Sequence, residues 1–287
     1  MAAKDANECR IRMGEVVVSL ESSSPEYAAS LQDYFGLGRV DEEPHVRLRL
    51  EVTPVGAARD VPNSLLASKR LEAGEFVIDP DLVRGRYDPG GGAGTIAVNC
   101  LLTKGQSTRI FEQLIQQAFY SGRERCGCDG FLVHSSAVVR GGAGFLFVGP
   151  SEAGKTTVAQ LSREHVVLND EMGLIVFDGD GVELHGTPFN GYFKEKSEGS
   201  APLKAVFLLE KGASHEIRPV GRAKAMTLLA TQVVPPVGLS DVLTHRAREA
   251  ALDVAERLSS RVPVQVLRFS PDPGFWDLID RAFPTTG

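Results

Sequence analysis

The residues best suited to chemistry are Gly149, Pro150, Ser151, Glu152, Ala153, Gly154, Lys155 and Thr156, with Thr157 directly after them. They fit the spacing G-x-x-x-x-G-K-[ST], in which successive backbone N–H groups converge on a chain of phosphates. In that chemistry the Lys155 ammonium bridges the β- and γ-phosphates of a nucleoside triphosphate, and the Thr156 hydroxyl holds Mg2+. The pattern needs a strand entering the loop and a helix leaving it. Residues 144–148 predict the strand, and residues 155–163 predict the helix, with Val158, Ala159 and Leu161 as its apolar positions. A glycine-bearing turn with a surface lysine is the plain alternative.

Asp170 and Glu171 form the second candidate set. They close a short apolar run, 165–168, through Asn169 and lead into Met172. Phosphoryl transfer needs magnesium beside the phosphates and a carboxylate that orients or deprotonates the attacking hydroxyl. Carboxylates at the end of a strand can project over a neighbouring phosphate loop, although an acidic turn between two strands would read the same way.

The elements that must position these groups are legible in outline. Residues 131–139 predict a strand that turns through Arg140-Gly141-Gly142-Ala143 into the strand of the loop, so that strand has a hairpin partner rather than a crossover helix. Beyond the acidic pair a hairpin is expected over 173–184, turning at Asp178-Gly179-Asp180. The continuous apolar run 205–209 suits a buried strand. The rest is expected to be helical, with a strand over 264–269.

Towards the N-terminus, strands are expected at 15–20, 46–52, 76–78 and 95–98. Ser24-Pro25 carries a helix-start signal, and Gly36 is a helix stop. The glycines of 88–94 lack a following lysine and predict a hairpin turn. Ser107 or Thr108 is expected to cap a helix with its apolar face over 110–119, stopped by Gly122. The cluster 126–130 makes a boundary.

Bulk properties bound the rest. A chain of 287 residues, 43% hydrophobic and 24% charged, has the composition of a globular protein large enough for two domains. A net charge of -6 argues against a nucleic-acid partner held by a basic surface. There is no apolar run long enough to span a bilayer and no signal-peptide pattern, so no membrane is expected and the cytoplasm is the expected compartment. Cys9, Cys100, Cys126 and Cys128 are read as reduced thiols, since Cys126-Gly127-Cys128 has no second pair to complete a zinc site.

The segment Val133-His134-Ser135-Ser136-Ala137-Val138-Val139, the glycine turn, residues 145–157 and Val167-Leu168-Asn169-Asp170-Glu171 together resemble the HPr serine kinase family. That family shares its fold with the ATP-type phosphoenolpyruvate carboxykinases. The likeness is strongest over 131–209. There Gly186-Thr187-Pro188-Phe189 and 201–210 look like the HPr-kinase-related proteins of bacteria more than like true HPr kinases. The resemblance implies an α/β fold, with a carboxykinase-like P-loop core over 126–287 and an N-terminal α+β domain over 1–125. It gives Lys155 and Thr156 the P-loop roles, matches His134 to the family histidine, and matches Asp170 and Glu171 to the acidic pair that acts on a serine hydroxyl and helps hold magnesium. Asp170 is assigned to magnesium or base chemistry and Glu171 to the partner role, an assignment that could be reversed. Glu171 stands where the family commonly has aspartate, one methylene shorter. The family's downstream Pro-Gly-Arg signature is absent; Lys194, Lys196 and Arg218 are candidate replacements, each also readable as a solvated charge.

The function implied is that of an ATP-dependent, magnesium-requiring serine kinase transferring the γ-phosphoryl group to a hydroxyl of a protein or peptide, with the acceptor encoded nearby. The alternative is a nucleotide-binding regulatory or scaffolding protein without phosphotransfer. HPr kinases are hexamers, so self-association is implied too. The loop 186–194 is the expected acceptor guide, with Phe189, Tyr192 and Phe193 exposed for peptide recognition or else packed inward as anchors.

Overall fold

A computed structural model describes residues 7–35, 40–53, 69–70, 74–79, 83–99, 106–189, 191–239 and 245–284. Gly36 and Cys100, which the sequence reading used, lie outside the described residues. Among those described, six helices and two sheets make a mixed α/β protein. The chain divides into two compact units: Met1–Cys128 with Pro236–Ala247, and Asp129–Pro235 with Arg248–Gly287. The first unit thus includes a segment from late in the sequence, tied to it by the Leu239 amide, which donates to the Ser121 Oγ at 2.8 Å.

The first unit runs β1 (Glu8–Met13), β2 (Val16–Ser22), α1 (Pro25–Tyr34), β3 (Val46–Val52), β4 (Lys69–Arg70), β5 (Glu75–Asp79), β6 (Val83–Asp88), β7 (Ala93–Val98) and α2 (Gln106–Cys126). The sheet order is β1-β2-β3-β7-β6-β5-β4. Ser24 caps α1 as expected, its hydroxyl accepting from the Tyr27 amide at 3.3 Å. Strand β3 alternates buried and exposed residues along its length. The Gly-rich stretch is the β6–β7 turn, where the Asp88 carboxylate accepts from the amides of Gly90 and Gly91, each at 3.0 Å.

Two expectations for α2 are corrected. The helix begins at Gln106, so Ser107 and Thr108 lie inside it rather than capping it. It also runs through Gly122 to Cys126 and turns at Gly127, whose φ is 70°. A Cβ at Gly122 would sit 2.5 Å from Val16 Cγ1, so this glycine lets the helix lie close on β2.

The second unit runs β8 (Gly130–Arg140), β9 (Ala143–Val148), α3 (Lys155–Leu161), β10 (Val166–Asn169), β11 (Met172–Asp178), β12 (Gly181–His185), β13 (Ser200–Lys211), β14 (Glu216–Pro219), α4 (Arg222–Ala230), α5 (His245–Arg261, from Arg248 onward), β15 (Val264–Phe269) and α6 (Phe275–Ala282). Strand β14 falls in a stretch expected to be helical; it pairs antiparallel with β15. The core beneath the sheet is aromatic: Phe145, Phe147, Phe207, Phe269, Phe275 and Trp276 are all buried in one cluster. Each such side chain contributes about 1.5–3 kcal/mol by leaving water. This core holds fixed the ends of β9, β13 and β15, from which loops emerge.

Strand register does the positioning. One side of β8 carries β9, with Ser135 opposite Val148 and Ser136 opposite Phe147. The other side carries β10 and then β11, with Asn169 opposite Ala137 and Met172 opposite His134. The two thus follow one another along β8, interrupted only at Asp170 and Glu171. The Ser135 amide bridges that interruption, donating to the Glu171 carbonyl at 3.2 Å. Glu171, Ser135 and Val148 therefore form one row across adjacent strands, and the next residue after Val148 is Gly149, the first of the glycine-lysine loop.

Candidate functional site

The loop 149–156 connects β9 to α3 in the order its motif requires. Both motif glycines are sterically demanded. A Cβ on Gly149 would meet Ala153 Cβ at 2.7 Å, and one on Gly154 would meet the Phe269 ring at 2.8 Å. Gly154 also has a φ of 110°, open to glycine and strained for other residues. Glu152 is left-handed, with a φ of 65°, which costs a non-glycine residue about 1–2 kcal/mol. The first intrahelical bond of α3 runs from the Val158 amide to the Gly154 carbonyl at 2.9 Å. The amides of Lys155, Thr156 and Thr157 precede it and so have no acceptor one turn back in the helix.

Lys155 folds over its own loop, its Nζ donating to the carbonyls of Gly149 at 2.8 Å and Pro150 at 3.1 Å. Burial pushes its pKa below the ordinary lysine value, while the nearby Glu171 carboxylate pulls it back up. The charged ammonium exists below that pKa and is lost above it. Affinity for inorganic tripolyphosphate should therefore fall as the pH rises through that lowered pKa, earlier than an ordinary lysine would allow. In a Lys155→Arg protein, whose guanidinium stays charged, the fall should flatten. A wild-type profile that is itself flat would contradict the placement of Lys155 in the anion site.

His134 stands on β8 beside this lysine, and its backbone N–H donates to the Gln232 carbonyl at 2.8 Å. Its side chain is exposed to solvent. Surrounding protein atoms nevertheless push its pKa below the usual histidine value, opposed by the Glu171 carboxylate and assisted by the Lys155 charge. The ring thus stays neutral further into acid than a free imidazole. His134, Lys155 and Glu171 form one electrostatic group, assembled from β8, the loop and the β10–β11 interruption.

Asp170 is placed differently. It is buried, and its Oδ2 accepts from the amides of Tyr192 and Phe193, each at 3.0 Å. Among the described residues its buried Oδ1 has no hydrogen-bond partner. The carboxylate thus anchors the segment after β12, and Glu171 is the acidic residue that senses Lys155. A Cβ on Gly191 would overlap the Asp170 carboxylate. Gly191→Ala is expected to dislodge this anchor and to destabilise the protein by about 1–3 kcal/mol in urea denaturation; an unchanged midpoint would show that the anchor is dispensable.

Asn169, immediately before the acidic pair, is the positioning residue that sequence reasoning missed. It is fully buried. Its Oδ1 accepts from the amides of Glu171 at 2.6 Å and Met172 at 2.5 Å, and its Nδ2 donates to Phe189 O at 2.9 Å and Thr187 Oγ1 at 3.0 Å. Thr187 Oγ1 in turn donates to the Met172 carbonyl at 2.5 Å. The visible signal was an asparagine at a strand end before a turn, a residue that bonds backbone amides two and three positions on.

The loop 186–194 mixes its two expected readings. Phe189 and Phe193 are buried, Phe193 in the aromatic core, while Tyr192 is 84% exposed. Asn190 lies outside the described residues. The cations considered as replacements are engaged locally: Lys194 donates to the Gly191 carbonyl, Lys196 to those of Pro188 and Phe189, and Arg218 pairs with Glu210.

Among the described residues no three His, Cys, Asp or Glu side chains group to hold a metal by themselves. The donors present suit magnesium on a phosphate chain, which takes one or two carboxylates and completes its shell with phosphate and water oxygens. The residues that would supply such oxygens are Thr156 through its hydroxyl, Glu171 through its carboxylate and Asp170 through its unpartnered Oδ1. Cys9, Cys126 and Cys128 form no disulfide, and no helix among the described residues is long and apolar enough to cross a membrane.

A family model described as "SynChlorMet cassette protein ScmC" matches residues 100–284, which include the loop, His134 and the acidic pair. No curated protein matches the chain. Among solved structures, the HPr(Ser) kinase/phosphatase from Coxiella burnetii is similar at 10% identity, over 53% of this chain and 94% of that one. The TM-score of that match is 0.30.

Proposed function

This chain belongs to the SynChlorMet cassette protein ScmC family, whose description names no activity, and we propose that it is an ATP-dependent, magnesium-requiring kinase acting on a hydroxyl of a protein or peptide. The observation that carries this reading is the row that sets Glu171 beside the start of the loop, with Lys155 and His134 in its field. A phosphate loop alone binds nucleotide; a carboxylate and an imidazole beside its lysine add what transfer requires.

In this reading the loop amides and Lys155 hold the phosphates and spread the charge that builds on them during transfer. Magnesium held through Thr156 and the acidic pair would screen the phosphate oxygens from one another. Glu171 orients the acceptor hydroxyl and takes its proton. His134, kept neutral, offers the acceptor a hydrogen bond without adding charge. Asp170 and Asn169 hold the turn that aims Glu171. A serine is the acceptor favoured by the sequence resemblance, and exposed Tyr192 offers a recognition contact for the chain that carries it.

The experiment supplies ATP labelled at its γ-phosphate, with magnesium, and the proteins encoded beside this one as candidate acceptors. Acid-stable label on a hydroxyl residue, lost with Glu171→Gln, is the expected result. Tight ATP binding with no transfer to any of these proteins and no consumption by water would favour the scaffolding alternative.

A further inference from the structure

The loop sits between two unlike neighbourhoods on one sheet edge. Strand β9 lies between β8 and β13, and β13 lies between β9 and β15, with β9, β13 and β15 parallel. Their C-terminal ends share that edge. On the β8 side stand His134 and Glu171. On the other side Gly149 faces Leu209 and Gly154 lies against the Phe269 ring, so the loop is in contact with the last residues of β13 and β15. The chain then leaves β13 through 212–215 and β15 through 270–274, and these two exits converge.

Where they converge, three polar side chains join. The His215 Nε2 lies 2.7 Å from the Asp272 Oδ1 and 3.4 Å from the Ser270 Oγ, and the Ser270 hydroxyl donates to the Asp272 Oδ2 at 2.6 Å. The Gly274 amide also donates to Oδ1, at 3.0 Å. The buried His215 Nδ1 has no partner among the described residues, so Nε2 carries the proton that Asp272 receives. Pro271 and Pro273 fix the backbone on either side of the carboxylate. Turning the chain into α6 uses only the Oδ1–Gly274 bond. The second oxygen belongs to a half-exposed carboxylate, holds one donor among the described residues, Ser270, and can accept another.

We infer that Asp272, with Ser270, binds the ribose diol of the nucleotide, whose phosphates lie in the loop 149–156 and whose transferred end points toward His134 and Glu171. The inference rests on the polyphosphate reading of that loop and gives the nucleotide a direction along the edge. A ribose supplies two adjacent hydroxyl donors; the free position on Asp272 Oδ2 accepts one, and the Ser270 Oγ, whose own proton already goes to that carboxylate, accepts the other. Ligands of open α/β sheets gather at such carboxyl ends.

The test compares ADP, 2′,3′-dideoxy-ADP and inorganic tripolyphosphate, each with magnesium, by calorimetry on the whole protein. Wild type should bind ADP about tenfold more tightly than the dideoxy compound, the usual scale for hydrogen bonds to a charged acceptor. Asp272→Asn, which keeps an acceptor for Gly274, should erase most of that difference and leave tripolyphosphate affinity unchanged. Ser270→Ala, which leaves α6 intact, should shrink the difference in the same direction. Equal binding of ADP and the dideoxy compound by wild type, or undiminished discrimination in both variants, overturns the inference while leaving the phosphate loop standing. Failure of tripolyphosphate to bind wild type overturns the loop reading, and this inference with it.

Discussion

Replacing Glu171 by glutamine is expected to lower turnover about a hundred- to ten-thousand-fold while leaving nucleotide affinity within about threefold. The substitution keeps the shape and the backbone bond to Ser135 but removes the charge that orients the acceptor and takes its proton. Turnover is read as transfer to an acceptor, or as consumption of ATP by water where none is supplied. His134 should also change: without the opposing carboxylate its pKa should fall further, a shift visible by NMR of the imidazole. Turnover unchanged in Glu171→Gln would remove this residue from the chemistry and return attention to Asp170. Asp170→Asn, by contrast, should act first on the segment 191–193, because that is where its carboxylate bonds.

Asn169→Ala is expected to destabilise the protein by about 3 kcal/mol in urea denaturation, among the largest effects of a single polar truncation. The side chain is fully buried and satisfies two amides of the acidic turn and acceptors in the following loop. Alanine would leave those groups buried and unpaired, each a loss of about 1–3 kcal/mol before relaxation. The acidic turn should loosen as well, so activity should fall at temperatures where the variant remains folded. A loss below about 1 kcal/mol would mean that water replaces the amide and that the clamp is not what fixes Glu171.

The sequence made the centre of the site readable because its parts are local. The loop pattern, the β8–β9 hairpin around Gly141-Gly142 and the acidic residues after an apolar run are all signals within a few residues of one another. What it hid depends on distant pairing. That Glu171 rather than Asp170 acts on the Lys155 charge depends on the pairing of β10 and β11 along β8, which no local pattern specifies. Gly122 reads as a helix stop until Val16 is seen against it. Strand β1 alternates Cys9, Ile11 and Met13 inward with charged residues outward, and β6 spaces Val83 and Tyr87 around Gly85, so both carry too few apolar residues to stand out. In the loop 186–194 three aromatics look alike in sequence, yet Phe189 and Phe193 go inward and Tyr192 outward, with the distant Asp170 carboxylate holding the amides of Tyr192 and Phe193.

The central claim is that the loop 149–156 is a polyphosphate site read through Lys155. Calorimetric titration of wild type and Lys155→Ala with a non-hydrolysable ATP analogue and magnesium tests it most directly. The account predicts a saturable, magnesium-dependent heat for wild type and a loss of affinity of at least about tenfold in the variant, since a charge-assisted contact to phosphate disappears from a partly buried position. Equal affinity in the two proteins, with both still folded by circular dichroism, would contradict it.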